Sequence, residues 1–351
     1  SFEGNPFGLS TSEKGTIYVP TAEVKSKIES ALSAVNVTEV IVSIDPNLDD
    51  TTDDEAGDDV HVDAETGIKW KFTDGTLDVY YDGDLSKIDA FYPWFDFDGD
   101  SVDYYKEVVN IVFHEGITKV HSSLVSDMEN LEQVSFPASF LGDEYGEDDY
   151  GMFFLMNDKL NQINVSAGNT KYASIDGVLF NKDTTKLIYY PAGKTAQTYT
   201  VPDSCKTIDY LYSDQLQKVI LGKTTVSITG EVGGINLKTV TVSDSLAEIS
   251  STAFEADELI ISASNANFFY ENHVLFDKNK TKLYQMMRAF SEPEYTVPDT
   301  VTWIGESAFY RKDKPLKLNI LSPDVSFESN PFGYSAQATG TIYVPNLSVK
   351  N

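Results

Sequence analysis

Four histidines, one cysteine and 55 acidic residues are the groups in this 351-residue chain that could do chemistry. The histidines, His61, His114, His121 and His273, are scattered, and no HExxH, paired CxxC or zinc spacing accompanies them. A GxSxG serine elbow is absent. Gly230, Gly233 and Gly234 form GEVGG. It lacks the following Lys-Ser/Thr and the GxGxxG spacing that cradle a phosphate, so it reads as a backbone turn. Carboxylates are so numerous that pairs at glycosidase separation arise by chance, and no feature singles out two of them. One acidic stretch has the spacing of a calcium loop: Asp96, Asp98, Asp100 and Glu107 fall at loop positions 1, 3, 5 and 12. Position 6 needs glycine for a sharp turn and is Ser101, and the flanks are not helical. These four residues are a weak calcium candidate, and a solvated acidic loop is the expectation. No catalytic residue and no cofactor is predicted, and the chain is expected not to be an enzyme.

Composition narrows the classes further. Hydrophobic residues make up 41% of the chain, which fits a folded protein. The formal charge of −29 argues against nucleic acid or an anionic membrane surface as partner, since both need a basic face. No run of about 18 apolar residues exists, so no membrane insertion is expected. Ser1 opens into repeat sequence, so any export signal is expected to have been removed or to lie upstream. The single Cys205 rules out an internal disulfide and reads as a small buried hydrophobe.

The elements that would carry a site repeat along the chain. Residues 1–20 read SFEGNPFGLSTSEKGTIYVP, and residues 326–345 read SFESNPFGYSAQATGTIYVP. Such recurrence points to an array of large units. A second match aligns residues 171–208 with 267–304 at an offset of 96. In it Val178-Leu179-Phe180 answers to Val274-Leu275-Phe276, and Tyr199-Thr200-Val201-Pro202-Asp203 to Tyr295-Thr296-Val297-Pro298-Asp299. Each copy reads as a hairpin: VLF, a polar turn, then a strand starting at Leu187 or Leu283. A shorter motif recurs as Leu131-x-x-Val134-x-Phe136, Leu160-x-x-Ile163-x-Val165, Leu216-x-x-Val219-x-Leu221 and Leu237-x-x-Val240-x-Val242, with clipped forms at Leu259-x-Ile261 and Leu318-x-Ile320. The alternating pair ending each motif predicts a short strand with one face inward, and the leucine before it caps the turn. One such unit cannot bury its apolar face alone, so the copies must stack as a solenoid.

These runs resemble the BspA-like leucine-rich repeats (LRR_5 type) of bacterial cell-surface proteins. The resemblance is carried by SIDGVLFNKDTTKLIYYPAGKT, YTVPDSCKTI and VTWIGESAFY, and by the entry order Gly67 to Phe72, Asp74 to Leu77, Pro93-Trp94, then IVFHEGITKV from Ile111. It implies a protein that is displayed on the cell or secreted, in a family some of whose members contact host proteins or other bacteria. The fold class expected is α/β: a leucine-rich-repeat solenoid rich in short β-strands, with inserted β-hairpins and a small β cap. Residues 1–44 read as the closing piece of a preceding repeat unit, with a helix over 21–34 that Thr21 caps. Residues 45–66 read as an acidic linker, 67–106 as the small β cap and 107–351 as the solenoid. Residues 141–151 insert an acidic loop.

Strand parity supplies the functional expectation. If Val134 and Phe136 point inward, Gln133 and Ser135 point outward. The same parity exposes Gln162, Asn164, Lys218, Ile220, Thr239, Thr241, Ile260, Lys317 and Asn319, predicted to stand side by side as one partner-binding ladder. The partner expected is an extracellular protein or glycan, in host matrix or on another bacterium. Residues 1–45 are also expected to stack head-to-tail on a neighbouring chain's last repeat. Adhesion leads. A structural spacer in a long surface protein follows, and third is a carbohydrate-active or sugar-binding module in which Tyr145, Tyr150, Tyr189 and Tyr190 would stack on sugars.

Overall fold

The structure, a computed structural model, describes residues 15–19, 28, 40–44, 60–64, 66–88, 104–143, 154, 156–310, 316–332 and 340–345. The chain forms two compact units, 1–60 and 61–351. In the first, Gly15–Val19 and Val40–Ile44 pair in parallel, with Gly15 opposite Val40 and Tyr18 opposite Ser43. Ile28 is helical and buried. The rest of the helix expected over 21–34, residues 45–59 of the acidic linker and the acidic loop beyond Asp143 lie outside the described residues; at the linker's end His61–Val62 is a strand paired antiparallel with Trp70 and Lys69.

The second unit is a β-solenoid of about ten turns. Its repeating rib is short because a leucine closes each turn before the strand begins. Leu131 N–H donates to Met128 O at 3.2 Å, Leu160 to Asn157 at 3.0 Å, Leu216 to Ser213 at 3.2 Å and Leu237 to Gly234 at 3.0 Å. All four leucines are fully buried. In the clipped motif at Leu259, buried Ala256 takes that place. The strands that follow stack in parallel and in phase. Val134 lies opposite Ile163, Val219 opposite Val240, and Val240 opposite Leu259, forming columns that point inward. Each such side chain contributes about 1.5–3 kcal/mol relative to leaving it in water.

One series of parallel strands comprises three sheets. The first runs Thr76–Tyr80, Asn110–Phe113, Gln133–Phe136 and Gln162–Val165; the second Thr198–Thr200, Lys218–Ile220, Thr239–Val242 and Glu258–Ile261; the third Glu294–Val297, Leu316–Ile320 and Gly340–Tyr343. A second series alternates with it along the chain and includes Lys186–Tyr190, Thr207–Tyr212, Ser227–Gly233 and Phe254–Glu255. The Lys69–Thr73 strand joins Thr76–Tyr80 as an antiparallel hairpin through Asp74 and Gly75, both at positive φ. Since Thr76–Tyr80 pairs with Asn110–Phe113, this hairpin opens the first sheet.

Two antiparallel meanders interrupt the stack. In the first, Tyr172–Ile175 pairs with Val178–Asn181, which pairs with Lys186–Tyr190. In the second, Phe268–Glu271, Val274–Asp277 and Lys282–Met286 do the same. The tight turns fall at Asp176-Gly177 and Asn272-His273, with all four residues at positive φ. All three residues of each VLF are buried, yet they face different ways. Leu179 belongs to the core before the meander, whereas Val178 and Phe180 belong to the core after it. Leu275 and the pair Val274 and Phe276 repeat this division one stage later. The VLF strand is a wall, buried on both sides, and it parts the interior into three hydrophobic cores.

A buried asparagine anchors each meander. Asn169 Nδ2 donates to Pro137 O and Phe140 O, and its Oδ1 accepts from Lys171 N and Tyr172 N. Asn265 repeats the pattern on Ser243, Leu246, Asn267 and Phe268. Between the two meanders, hydroxyls climb from turn to turn. Thr225 Oγ1 donates to Cys205 O at 3.1 Å, and Ser243 Oγ donates to Thr225 O at 2.6 Å.

Among the described residues the α component of the expected α/β class is nearly absent. Among the described residues regular helix amounts to little beyond Tyr104–Glu107 and the 3-10 turns Leu85–Lys87 and Ser122–Leu124. A parallel pair needs a long crossover, usually a helix. Here a strand of the second series makes that crossover, reached by tight turns such as the one closed by Cys205 N to Pro202 O at 3.0 Å.

Candidate partner-binding face

The eleven ladder residues all lie on strands of the first series, but in three separate sheets rather than one ladder. The physical reason is the meander. Beyond Gln162–Val165, the next backbone is that of the Asp176-Gly177 turn: Ile163 N–H donates to Gly177 O at 3.0 Å and Ser174 Oγ donates to Ile163 O. No strand of the second sheet pairs there.

In the first sheet Gln133 stands opposite Gln162, and Ser135 opposite Asn164. These groups bond to one another. Gln162 Nε2 donates to Asn164 Oδ1 at 2.8 Å, and Asn164 Nδ2 donates to Ser135 Oγ at 3.2 Å. In the third sheet Lys317 lies opposite Glu294 and Asn319 opposite Thr296. Lys317 Nζ and Asn319 Nδ2 both bond Glu294 Oε1, at 2.8 and 2.7 Å, and these hydrogen bonds hold the Glu294 carboxyl below its usual value. Lys317 also lies over the Tyr343 ring at 5.1 Å.

The middle sheet differs. Its outward residues form two rows: Thr198, Lys218, Thr239 and Glu258; and Thr200, Ile220, Thr241 and Ile260. Glu258 stands 3.4 Å from His273. Among the described residues the other polar members, Thr198, Thr200, Lys218, Thr239 and Thr241, engage no side-chain hydrogen bond or ion pair. Ile260 is half exposed, at 50%. Thr198 and Thr200 were not among the predicted site residues. Their signal lay in the Tyr199-Thr200-Val201 run, whose parity matches the strands that follow.

The other candidate groups stand apart. His61 stacks on Trp70 at 4.3 Å, His114 bonds Asp78 at 2.8 Å, His121 caps the Ser122–Leu124 turn and His273 sits in the second meander's turn. Cys205 is buried, its Sγ bonds Thr207 O at 3.1 Å, and burial pushes the thiol up to about 11, far from a reactive thiolate. Gly230 and Gly233 lie within the Ser227–Gly233 strand rather than in a turn. A Cβ on Gly230 would fall on Asp209 O, so glycine there lets neighbouring turns approach. Tyr189 and Tyr190 are buried, Tyr189 packing against Phe154 and Tyr210, so neither offers a ring face to a sugar. Tyr145 and Tyr150 lie outside the described residues, as do Asp96, Asp98 and Asp100; Glu107 ends the Tyr104–Glu107 helix and is exposed. Among the described residues no three His, Cys, Asp or Glu side chains are grouped to hold a metal ion.

A stacked two-strand rib, closed by a buried leucine and extended by parallel pairing, defines a β-solenoid. Residues 190–261 and 206–337 match the family described as BspA type Leucine rich repeat region, in six copies. No curated protein matches the chain. Among solved structures, the pneumococcal vaccine antigen PcpA is similar at 16% identity, covering 82% of this chain and 99% of that one, with a TM-score of 0.38. A leucine-rich repeat protein from Eubacterium ventriosum matches at 17% identity over 80% and 83%, with a TM-score of 0.34. A leucine rich cell surface protein from Faecalibacterium prausnitzii matches at 12% identity over 80% and 77%, with a TM-score of 0.38.

Proposed function

We propose that this chain is a non-enzymatic bacterial surface or secreted protein that mediates adhesion or protein–protein interaction through its repeat surface. The middle sheet is its contact face, and the partner is an extracellular protein or glycan. One observation carries this reading. The polar groups of the first and third sheets are occupied by one another, whereas Thr198, Thr200, Lys218, Thr239 and Thr241 are unengaged and flank Ile220 and Ile260. A regular row of free donors and acceptors around half-buried Ile220 and exposed Ile260 can take a partner without first breaking internal bonds.

The test is capture of partners from host extracellular matrix and mucus by the intact chain, followed by the double variant Ile220→Glu, Thr241→Glu. Retention is expected to fall about tenfold or more, with an unchanged circular dichroism spectrum. Undiminished retention by a folded double variant removes the middle sheet as the site. The second reading is a structural spacer, favoured by the recurrence of residues 1–20 at 326–345, and it predicts no specific capture.

A further inference from the structure

Between the two meanders the second series of strands carries a row of tyrosines. Tyr189 lies opposite Tyr210, with the rings 5.4 Å apart and nearly parallel, and Tyr210 stacks on Tyr212 at 6.1 Å. Tyr210 and Tyr212 flank buried Leu211, so parity turns both away from the second core. Tyr189 is buried at one end of the row, whereas Tyr210 and Tyr212 are half-buried.

On the next strand Glu231 lies opposite Tyr210 and Gly233 opposite Tyr212. One turn further on, Glu255 lies opposite Gly233. Three side chains converge on that glycine. A Cβ there would stand 2.9 Å from the Tyr212 ring, 2.9 Å from Glu255 Cβ and 3.1 Å from Glu231 Oε1. Glycine thus lets the ring and both carboxyl side chains close on one another.

The two carboxyls differ in their partners. Glu255 is met by Arg288 Nη1 at 3.6 Å, and Arg288 Nε also meets Asp257 at 3.2 Å. Glu231 is half-buried and, among the described residues, engages no hydrogen bond or ion pair. Burial first, and then Glu255, raise its carboxyl to about 7. Charges withdrawn from water are normally paired, so this carboxyl lacks a cation that its neighbour has. Tyrosine rings attract a cation to their faces, and the formal charge of −29 draws cations toward the protein.

We propose that Glu231, Tyr210 and Tyr212 form a binding site for a cationic side chain of a partner protein, arginine in preference to lysine. The guanidinium pairs with the Glu231 carboxylate and lies against the tyrosine rings. Its planar, weakly hydrated form suits both contacts better than an ammonium does. Arg288 on Glu255 is the precedent within the chain itself. The site belongs to the second series of strands, so the inference does not rest on the middle-sheet reading.

Titration of the intact chain with Gly-Arg-Gly peptide, blocked at both ends and followed by NMR of the side-chain carboxyls, tests it. Binding is expected with a Kd of about 1 mM. Glu231→Gln relieves a buried charge and so should fold; it is expected to weaken binding about tenfold. Tyr212→Ala is expected to weaken it about threefold, with an unchanged circular dichroism spectrum. Glu248→Gln removes an equal charge from an exposed position in the same sheet and is expected to leave binding as it was. Blocked Gly-Lys-Gly is expected to bind more weakly than the arginine peptide. Four results would overturn the proposal. The first is no binding at about 10 mM peptide. The second is parent affinity in Glu231→Gln. The third is an equal loss in Glu248→Gln, which would mean long-range attraction to the net charge alone. The fourth is equally tight, Glu231-dependent binding of lactose, which would make this a glycan site.

Discussion

Replacing Asn265 by alanine tests how the meanders are held. The side chain is fully buried and makes four hydrogen bonds. Its amide donates to Ser243 O at 3.0 Å and Leu246 O at 3.1 Å, and its carbonyl accepts from Asn267 N at 2.9 Å and Phe268 N at 2.8 Å. The two carbonyls it binds keep other donors: Leu246 N on Ser243 O, and Asn267 Nδ2 on Leu246 O. The two amides lose the acceptor that orients the chain into the Phe268–Glu271 strand. An unsatisfied buried donor costs about 1–3 kcal/mol. Counting Phe268 N in full, Asn267 N in part, and a small void, Asn265→Ala should lower stability by about 3 kcal/mol. Urea denaturation measures the loss, and hydrogen exchange at Phe268 locates it. Asn169→Ala should behave alike, because Asn169 makes the same four bonds one meander earlier. Asn319→Ala, on the surface, should change stability by less than about 0.5 kcal/mol. A loss below about 1 kcal/mol for Asn265→Ala would refute the assignment of the anchor.

Three further outcomes are expected. Leu275→Ala opens a cavity in the wall between the second and third cores and should cost about 2–5 kcal/mol by urea denaturation. Gly177→Val puts a branched side chain at φ +77°, with its Cβ 3.1 Å from Gln162 Cα, and should cost about 2 kcal/mol; Gly177→Asn should cost less, as His273 already holds the equivalent turn position at φ 62°. Glu231 is raised to about 7, first by burial and then by the neighbouring Glu255 carboxylate. Since its folded value lies above its unfolded one, its favourable contribution is complete below about pH 4.5 and is lost as pH rises through 7. Glu231→Gln should therefore stabilise the protein above pH 7 by about 2 kcal/mol and leave it unchanged near pH 4, as thermal denaturation across pH would show.

Local patterns carried far in this chain. Leu131, Leu160, Leu216 and Leu237 mark turns, and the pairs after them mark strands, because burial of alternate side chains is a property of a few consecutive residues. Tyr172–Ile175 was missed as a strand, although Asp176-Gly177 signals the turn that follows it. The role of VLF was also hidden. Three apolar residues in a row look alike, and only the cores on either side distinguish Leu179 from Val178 and Phe180.

By itself the sequence determined the rib, its repetition and the outward parity of the ladder residues, because each depends on spacing within one strand and its turn. Tertiary structure decided which ribs touch. It set the meander backbone against Ile163 where a further strand would have continued the ladder, and so divided one expected face into three. It also tied Asn164 to Ser135 and Lys317 to Glu294 while leaving Lys218 and Thr241 unengaged. Hydrogen-bond partners across turns depend on register between distant segments, and register is fixed only when the turns close on one another.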